Sequence, residues 1–224
     1  MLSLRTCNVE NELIKSFFGD SERLFIRQVK EWGEILIGLE GKNKYEVLDE
    51  SGQRVGFIHE RGSGIVQYLK RIFLKRHRPL IVDVFNKDSQ KVLELRRPFY
   101  WFFSDLSIHL SESGKKVGSV DQRFSFFRKK YSLNDSYDKE FATIDSGFFN
   151  FFNFEINSIE GRKLGHIKKK WGNLLKEFFT DADTFGVDLS RELEINDKAI
   201  VFSTSIIVDL DHFENNNSKI SFFD

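Results

Sequence analysis

Apolar and polar positions alternate with a period of two along most of this chain, and short polar turns break the alternation at intervals of roughly ten residues. Arg23–Glu31 alternates partly, with Leu24 and Ile26 apolar. Ile35–Leu39 and Tyr45–Leu48 read as strands around the turn Gly41-Lys42-Asn43, and Val55–His59 completes the next hairpin. Leu80–Phe85 pairs with Val92–Leu95, and Leu106–Leu110 with Val117–Arg123. Phe126–Leu133 and Glu140–Ile144 look like another pair, Phe148–Ile156 and Lys163–Lys169 follow, and Leu174–Thr180 and Phe185–Leu189 close the β region, fourteen candidate segments that read as about twelve strands.

Four stretches share one hairpin phrase: Asp49-Glu-Ser-Gly-Gln-Arg-Val-Gly56, Asn86-Lys-Asp-Ser-Gln-Lys-Val-Leu93, Ser111-Glu-Ser-Gly-Lys-Lys-Val-Gly118 and Ser158-Ile-Glu-Gly-Arg-Lys-Leu-Gly165. Asp, Asn or Ser opens a type I turn, and Gly suits the left-handed position after it. A cation, an aliphatic and usually a second Gly come next. The phrase predicts a run of antiparallel hairpins.

Three segments depart from this pattern. Asn8–Asp20 reads as a leader or short helix, and Ile65–Lys75 has helical spacing with a basic face. Ala199–Leu210 is apolar on nearly every side, though its β-branched residues also allow a strand. At 12 residues it is shorter than the roughly 20 a membrane span needs, and it contains Asp209. An apolar helix of that length suits a buried position, so we expect a helix enclosed by the strands.

Composition narrows the function. Lys plus Arg and Asp plus Glu are 34 each, and this zero net charge argues against a general nucleic-acid binder. The single cysteine, Cys7, forms no internal disulfide and fits a reducing compartment. Met1–Cys7 lacks the basic and apolar regions of a signal peptide, so a peripheral or cytosolic place on the cytoplasmic side is expected. Many of the 25 Phe residues fall at alternating strand positions and read as core, with a membrane-facing role as the alternative.

Several motifs in one order resemble the phospholipid scramblase family, whose domain is related to the tubby C-terminal fold. They are Asn43-Lys-Tyr-Glu46 with Gly52-Gln-Arg-Val55, and Arg78-Pro79 leading into a hairpin that ends at Leu95-Arg-Arg-Pro98. Gly165-His-Ile-Lys-Lys-Lys-Trp171, Glu177-Phe-Phe-Thr-Asp-Ala-Asp-Thr-Phe-Gly-Val187 and Lys198-Ala-Ile-Val201 continue them. The resemblance runs from about Arg23 to Phe213. It implies a mainly β, single twelve-stranded antiparallel tubby-like barrel enclosing a C-terminal hydrophobic helix near 197–211. On this reading residues 1–22 are a leader, 23–214 the barrel domain and 215–224 a polar tail. It also implies calcium-dependent movement of phospholipids between leaflets; a tubby-like lipid- or phosphoinositide-binding module without transport is the alternative. Many members carry a cysteine cluster after the second Arg-Pro, a candidate lipidation site. Here that place reads Phe99-Tyr-Trp-Phe-Phe103, which excludes thioester lipidation there.

Two clusters are candidates for chemistry. Numbered as a calcium-binding EF-hand loop, Asp181 is position 1, Asp183 position 3, Gly186 position 6 and Glu192 position 12. Phe185 and Leu189 occupy ligand positions, so the competing reading is a hairpin turn capped by Asp183. Asp181, Asp183 and Glu192 are the candidate calcium ligands. The cations Lys70, Arg71, Lys75, Arg76 and Arg78, interleaved with Ile72, Phe73 and Leu74, suit an anionic phospholipid surface; a solvated charged face is the plainer reading. Phe99–Phe103 is either an interfacial loop or a strand packed into the wall, and the strand is preferred. The five histidines show no metal-ligand spacing, and no G-x-S-x-G or Walker loop occurs, so we expect no conventional active site. Charged residues such as Arg123, Lys139, Lys163 and Lys168 on alternate strand positions argue for a soluble or peripheral protein over a barrel that crosses the bilayer.

Overall fold

The computed structural model describes residues 2–29, 44–62, 77–125, 130–146, 153–169 and 184–212. Helix α1 (Leu2–Phe18) precedes twelve strands: β1 (Arg23–Gln28), β2 (Lys44–Leu48), β3 (Arg54–Glu60), β4 (Leu80–Asn86), β5 (Lys91–Arg97), β6 (Asp105–Leu110), β7 (Lys116–Arg123), β8 (Lys130–Asn134), β9 (Glu140–Asp145), β10 (Asn153–Ser158), β11 (Lys163–Lys169) and β12 (Thr184–Leu189). Helix α2 (Ile195–His212) follows. Each strand pairs antiparallel with its sequence neighbours, and β12 closes on β1, so the sheet is an up-and-down barrel without free edges. The expected strands at 35–39 and 174–180 and the expected helix at 65–75 lie outside the described residues.

Connections alternate between the two ends of such a barrel. One end, the turn pole, holds the tight hairpins β2–β3, β4–β5, β6–β7, β8–β9 and β10–β11. The other, the loop pole, holds the connections β1–β2, β3–β4, β5–β6, β7–β8, β9–β10 and β11–β12.

The hairpin phrase has a specific geometry. Asp49, Asn86 and Ser158 each close a three-residue loop by pairing with Gln53, Gln90 and Arg162. The last loop residue takes positive φ in each: Gly52 (78°), Ser89 (60°) and Gly161 (85°). Asp49 Oδ1 accepts the amides of Ser51 and Gln53 at 2.8 and 2.9 Å, and Asn86 Oδ1 serves Asp88 and Gln90 in the same way. Asp135-Ser-Tyr-Asp138 is a further copy, with Asp138 at 62°, hidden in the sequence because Glu140 and Phe141 replace the cation and aliphatic that follow the other turns. The Ser111 copy differs: Leu110 and Lys115 close a four-residue loop with Gly114 at 66°.

The rest of the phrase builds a β-bulge. Leu48 faces Arg54 and Val47 faces Gly56, so Val55 is the extra residue. Val92, Val117, Phe141 and Leu164 occupy the same place in the other hairpins. In the four stretches that share the phrase the cation pairs, the aliphatic bulges, and the eighth residue, Gly in three of them, resumes the ladder. A Cβ on Gly56 would overlap the Phe85 carbonyl and the Phe17 ring, and one on Gly118 would overlap the Asn134 carbonyl and Ile200.

Those overlaps locate the two helices. α2 fills the barrel: Ala199–Phe202 and Ile206–Val208 are buried among strand residues such as Leu24, Val47, Val120 and Leu133. Its buried hydroxyls turn back on the helix, Ser203 Oγ donating to Ala199 O at 2.7 Å and Thr204 Oγ1 to Ile200 O at 2.8 Å. Near the loop pole, Tyr45 Oη donates to Asp209 at 2.7 Å. α1 lies across the turn pole with Glu10, Ile14, Phe17 and Phe18 buried at helical spacing. Phe17, Phe18 and Phe202 meet edge to face with centroids 4.9–5.5 Å apart. Glu10 Oε1 accepts the amides of Glu112 and Ser113 at 3.0 and 2.7 Å, fastening α1 to the β6–β7 turn. The segment read as a leader or short helix is a helix whose buried face joins the core.

Candidate functional site

The loop pole gathers the features that sequence reading tied to membranes. β5 ends at Arg97 and β6 starts at Asp105, so Phe99–Phe103 is a loop and not the expected wall strand. Pro98 cannot donate to a ladder, which ends β5 there. Trp101 is 77% exposed and Phe102 84%; Phe99, Phe103 and, from the β7–β8 connection, Phe124 are also exposed. Phe99 meets Trp101 edge to face at 5.1 Å, and Phe103 meets Phe124 at 6.2 Å.

Tyr100 points the other way. It is buried over the Arg97 guanidinium at 5.4 Å and against the His77 ring at 4.8 Å. Its amide donates to His77 O at 3.3 Å. At the far foot of the loop, Ser104 N donates to Gln122 Oε1 at 3.1 Å and Gln122 N to Ser104 O at 2.8 Å. Both feet are fixed, so the outward rings are held out by structure.

The predicted site residues divide. Arg78 is not a lipid-facing cation. It is 2% exposed and forks onto Glu60, Nη1 to Oε1 at 2.5 Å and Nη2 to Oε2 at 3.1 Å. The two Arg-Pro motifs flank the β4–β5 hairpin, Leu80 facing Arg97, and both arginines are structural anchors beneath the loop pole. Lys70, Arg71, Lys75 and Arg76 lie outside the described residues, in the connection from β3 to β4.

The twelve-residue calcium loop does not fit. β12 is an extended wall strand, paired with both β1 and β11. It carries the chain from the loop pole, where Asp183 joins Thr184, to the turn pole, where Glu192 lies. Five steps at about 3.3 Å separate the strand's ends, so position 12 cannot fold back on positions 1 and 3. Glu192 instead accepts from Arg162 at 3.1 Å. Asp181 and Asp183 lie outside the described residues, and no group of three His, Cys, Asp or Glu able to hold a metal occurs among those described.

Ion pairs run along the outer wall. Arg23 donates to Asp188 at 2.5 Å, and His166 Nδ1 approaches the same carboxylate at 3.1 Å. Burial lowers the His166 pKa, with Asp188 opposing. Arg27 pairs with Glu46, Arg61 with Asp83 and Glu94, and Lys130 with Asp145 at 3.4 Å. The hydrogen bond from Lys91, helped by Arg96 and by the charge of Arg61 against the cost of burial, lowers the Glu94 carboxyl to about 2. A groove of about 380 Å³ near the turn pole is lined by this wall, including Arg23, Lys163, His166 and Asp188. Such an exterior differs from the apolar band of a membrane-spanning barrel. Among the described residues no helix is long and apolar enough to cross a membrane.

These features define a class: a tubby-like twelve-stranded barrel filled by its own C-terminal helix. A solved structure of an Arabidopsis thaliana protein shares that fold with a TM-score of 0.51 and 10% identity, over 89% of this chain and 96% of that one. A family model described as Scramblase matches residues 4–215, and the chain belongs to that family. A phospholipid scramblase family protein of Schizosaccharomyces pombe is 28% identical over 225 residues, spanning 85% of this chain and 59% of its own length. Human phospholipid scramblase 1 is 26% identical over 215 residues, with 91% and 66% covered. The chain thus spans about three fifths to two thirds of these relatives.

Proposed function

We propose that this chain is a scramblase-like protein that works at a phospholipid surface and promotes calcium-dependent, bidirectional movement of phospholipids between leaflets. The observation that carries the reading is the family match from residue 4 to 215, across the whole barrel, to relatives named for phospholipid scrambling. The geometry favours action from the surface. The lumen is occupied by α2, and the outer wall is lined with ion pairs. Head groups need a polar path through roughly 30 Å of hydrocarbon. The filled lumen offers none, so the protein would act on the bilayer from outside its own barrel.

Lys70, Arg71, Lys75 and Arg76 are the proposed lipid-facing cations, each contributing on the order of 1 kcal/mol near an anionic surface. Asp181 and Asp183 are the proposed carboxylates of the calcium response. Calorimetry tests them directly: a calcium heat that Asp181→Ala and Asp183→Ala abolish is expected, and its absence from the wild type removes calcium. A leaflet-accessibility assay tests transport. Vesicles carrying a fluorescent phospholipid are quenched from outside, with calcium or chelator. Quenching well beyond the outer half supports transport. Quenching limited to that half, on vesicles that carry bound protein, leaves a lipid-binding module.

A further inference from the structure

We propose that the β5–β6 loop, with Phe124 beside it, is an aromatic wedge that docks the loop pole into the interfacial layer of a phospholipid bilayer. The inference rests on the membrane reading above and names the surface that does the work. Four rings of one loop, Phe99, Trp101, Phe102 and Phe103, point outward, while Tyr100 between them is buried. A loop collapsing to hide apolar surface would turn more of them in. The anchors explain why it does not. Tyr100 is clamped by Arg97 and His77, and Ser104 is tied to Gln122.

The occupant is identified by chemistry. Residues 98–104 carry no charge, so the tip meets no desolvation penalty for an ion on entering an apolar layer. Trp and Phe on a protruding loop match the head-group boundary, where the indole keeps a polar edge in contact with water. The rings protrude from one pole of the barrel, which suits insertion into a deformable layer. The charged outer wall then remains in water with its ion pairs intact.

The test uses the full chain with phosphatidylcholine vesicles, with and without phosphatidylserine. An environment-sensitive fluorophore is placed on Phe102→Cys in a Cys7→Ser background, and separately on Tyr137→Cys. Tyr137 is 89% exposed in the β8–β9 hairpin, at the opposite pole. We expect the probe at 102 to shift to the blue and be quenched by nitroxide-labelled lipids, and the probe at 137 to do neither. Trp101→Ala with Phe102→Ala lowers vesicle partition at least tenfold with an unchanged melting temperature, because neither ring is buried. Binding through the wedge persists at 0.5 M salt. If the wild type binds vesicles while the probe at 102 stays in water and the double variant binds equally, the wedge is overturned and the membrane reading stands. If the wild type binds no vesicle, both fall together.

Discussion

At Gly56 and Gly118 the eighth residue of the hairpin phrase lies where its own strand, the next strand and a helix converge. At Gly118 the neighbouring strand's Asn134 carbonyl and the Ile200 side chain of α2 occupy the space a Cβ would take. Gly118→Ala therefore loses about 1–3 kcal/mol through overpacking, read by urea denaturation, and Gly165→Ala, against the Asp188 carbonyl, behaves alike. The fourth place makes the opposite prediction. Ser89 holds a φ of 60° without a glycine. Ser89→Gly relieves a left-handed conformation that costs roughly 1–2 kcal/mol, partly offset by lost chain entropy, so a gain of about 0.5–1 kcal/mol is expected. Arg78 sets a third test. Arg78→Met removes the buried guanidinium that forks onto Glu60 and costs about 3–5 kcal/mol in the same assay. A lipid-facing arginine would show almost no loss of stability.

Elements were legible where local chemistry and tertiary demand agreed. The hairpins declare themselves because turn, cation and bulging aliphatic recur at fixed spacing, and residues 199–208 of the apolar run are buried on every side as their composition requires. The Asp135 copy is hidden because Glu140 and Phe141 stand where the other copies have a cation and an aliphatic. Phe99–Phe103 misled because an aromatic run looks like a wall strand; only Pro98 marks the end of β5. Arg78 misled because a row of cations does not reveal that one of them meets Glu60 across β3 and β4. Glu192 falls outside the calcium spacing because pairing keeps β12 extended ahead of it. The entry of α2 has its own electrostatics. Burial, with Glu194 and Asp135 nearby, raises the Asp197 carboxyl to about 6 from its ordinary 3.8. A raised carboxyl favours folding below its unfolded pKa, and that contribution is lost as pH rises through 6. Asp197→Asn should therefore raise the melting temperature more at pH 7.5 than at pH 4.5. An equal rise at both would remove the proposed charge effect.

At the scale of the molecule, the two poles have different work. The turn pole is sealed: α1 lies across it, Glu10 holds the β6–β7 turn, and Phe17 and Phe18 pack on Phe202 of the filling helix. The loop pole presents rings outward from fixed feet. Among the described residues, a barrel filled by one helix and closed at one pole by another shows no passage along its axis. The packing makes α1 indispensable to the fold, although its sequence reads equally as a leader or a short helix. Phe17→Ala opens a cavity between the two helices and the Gly56 wall, at a cost of about 3–5 kcal/mol. Removing residues 2–18 uncovers Phe202 and leaves the β6–β7 turn amides without their carboxylate. Typical domains hold only about 5–15 kcal/mol in total, so the shortened chain should lose its cooperative thermal transition and bind a hydrophobic dye while keeping much of its strand signal. A sharp transition within a few degrees of the intact chain would instead make α1 an accessory resting on a barrel already complete.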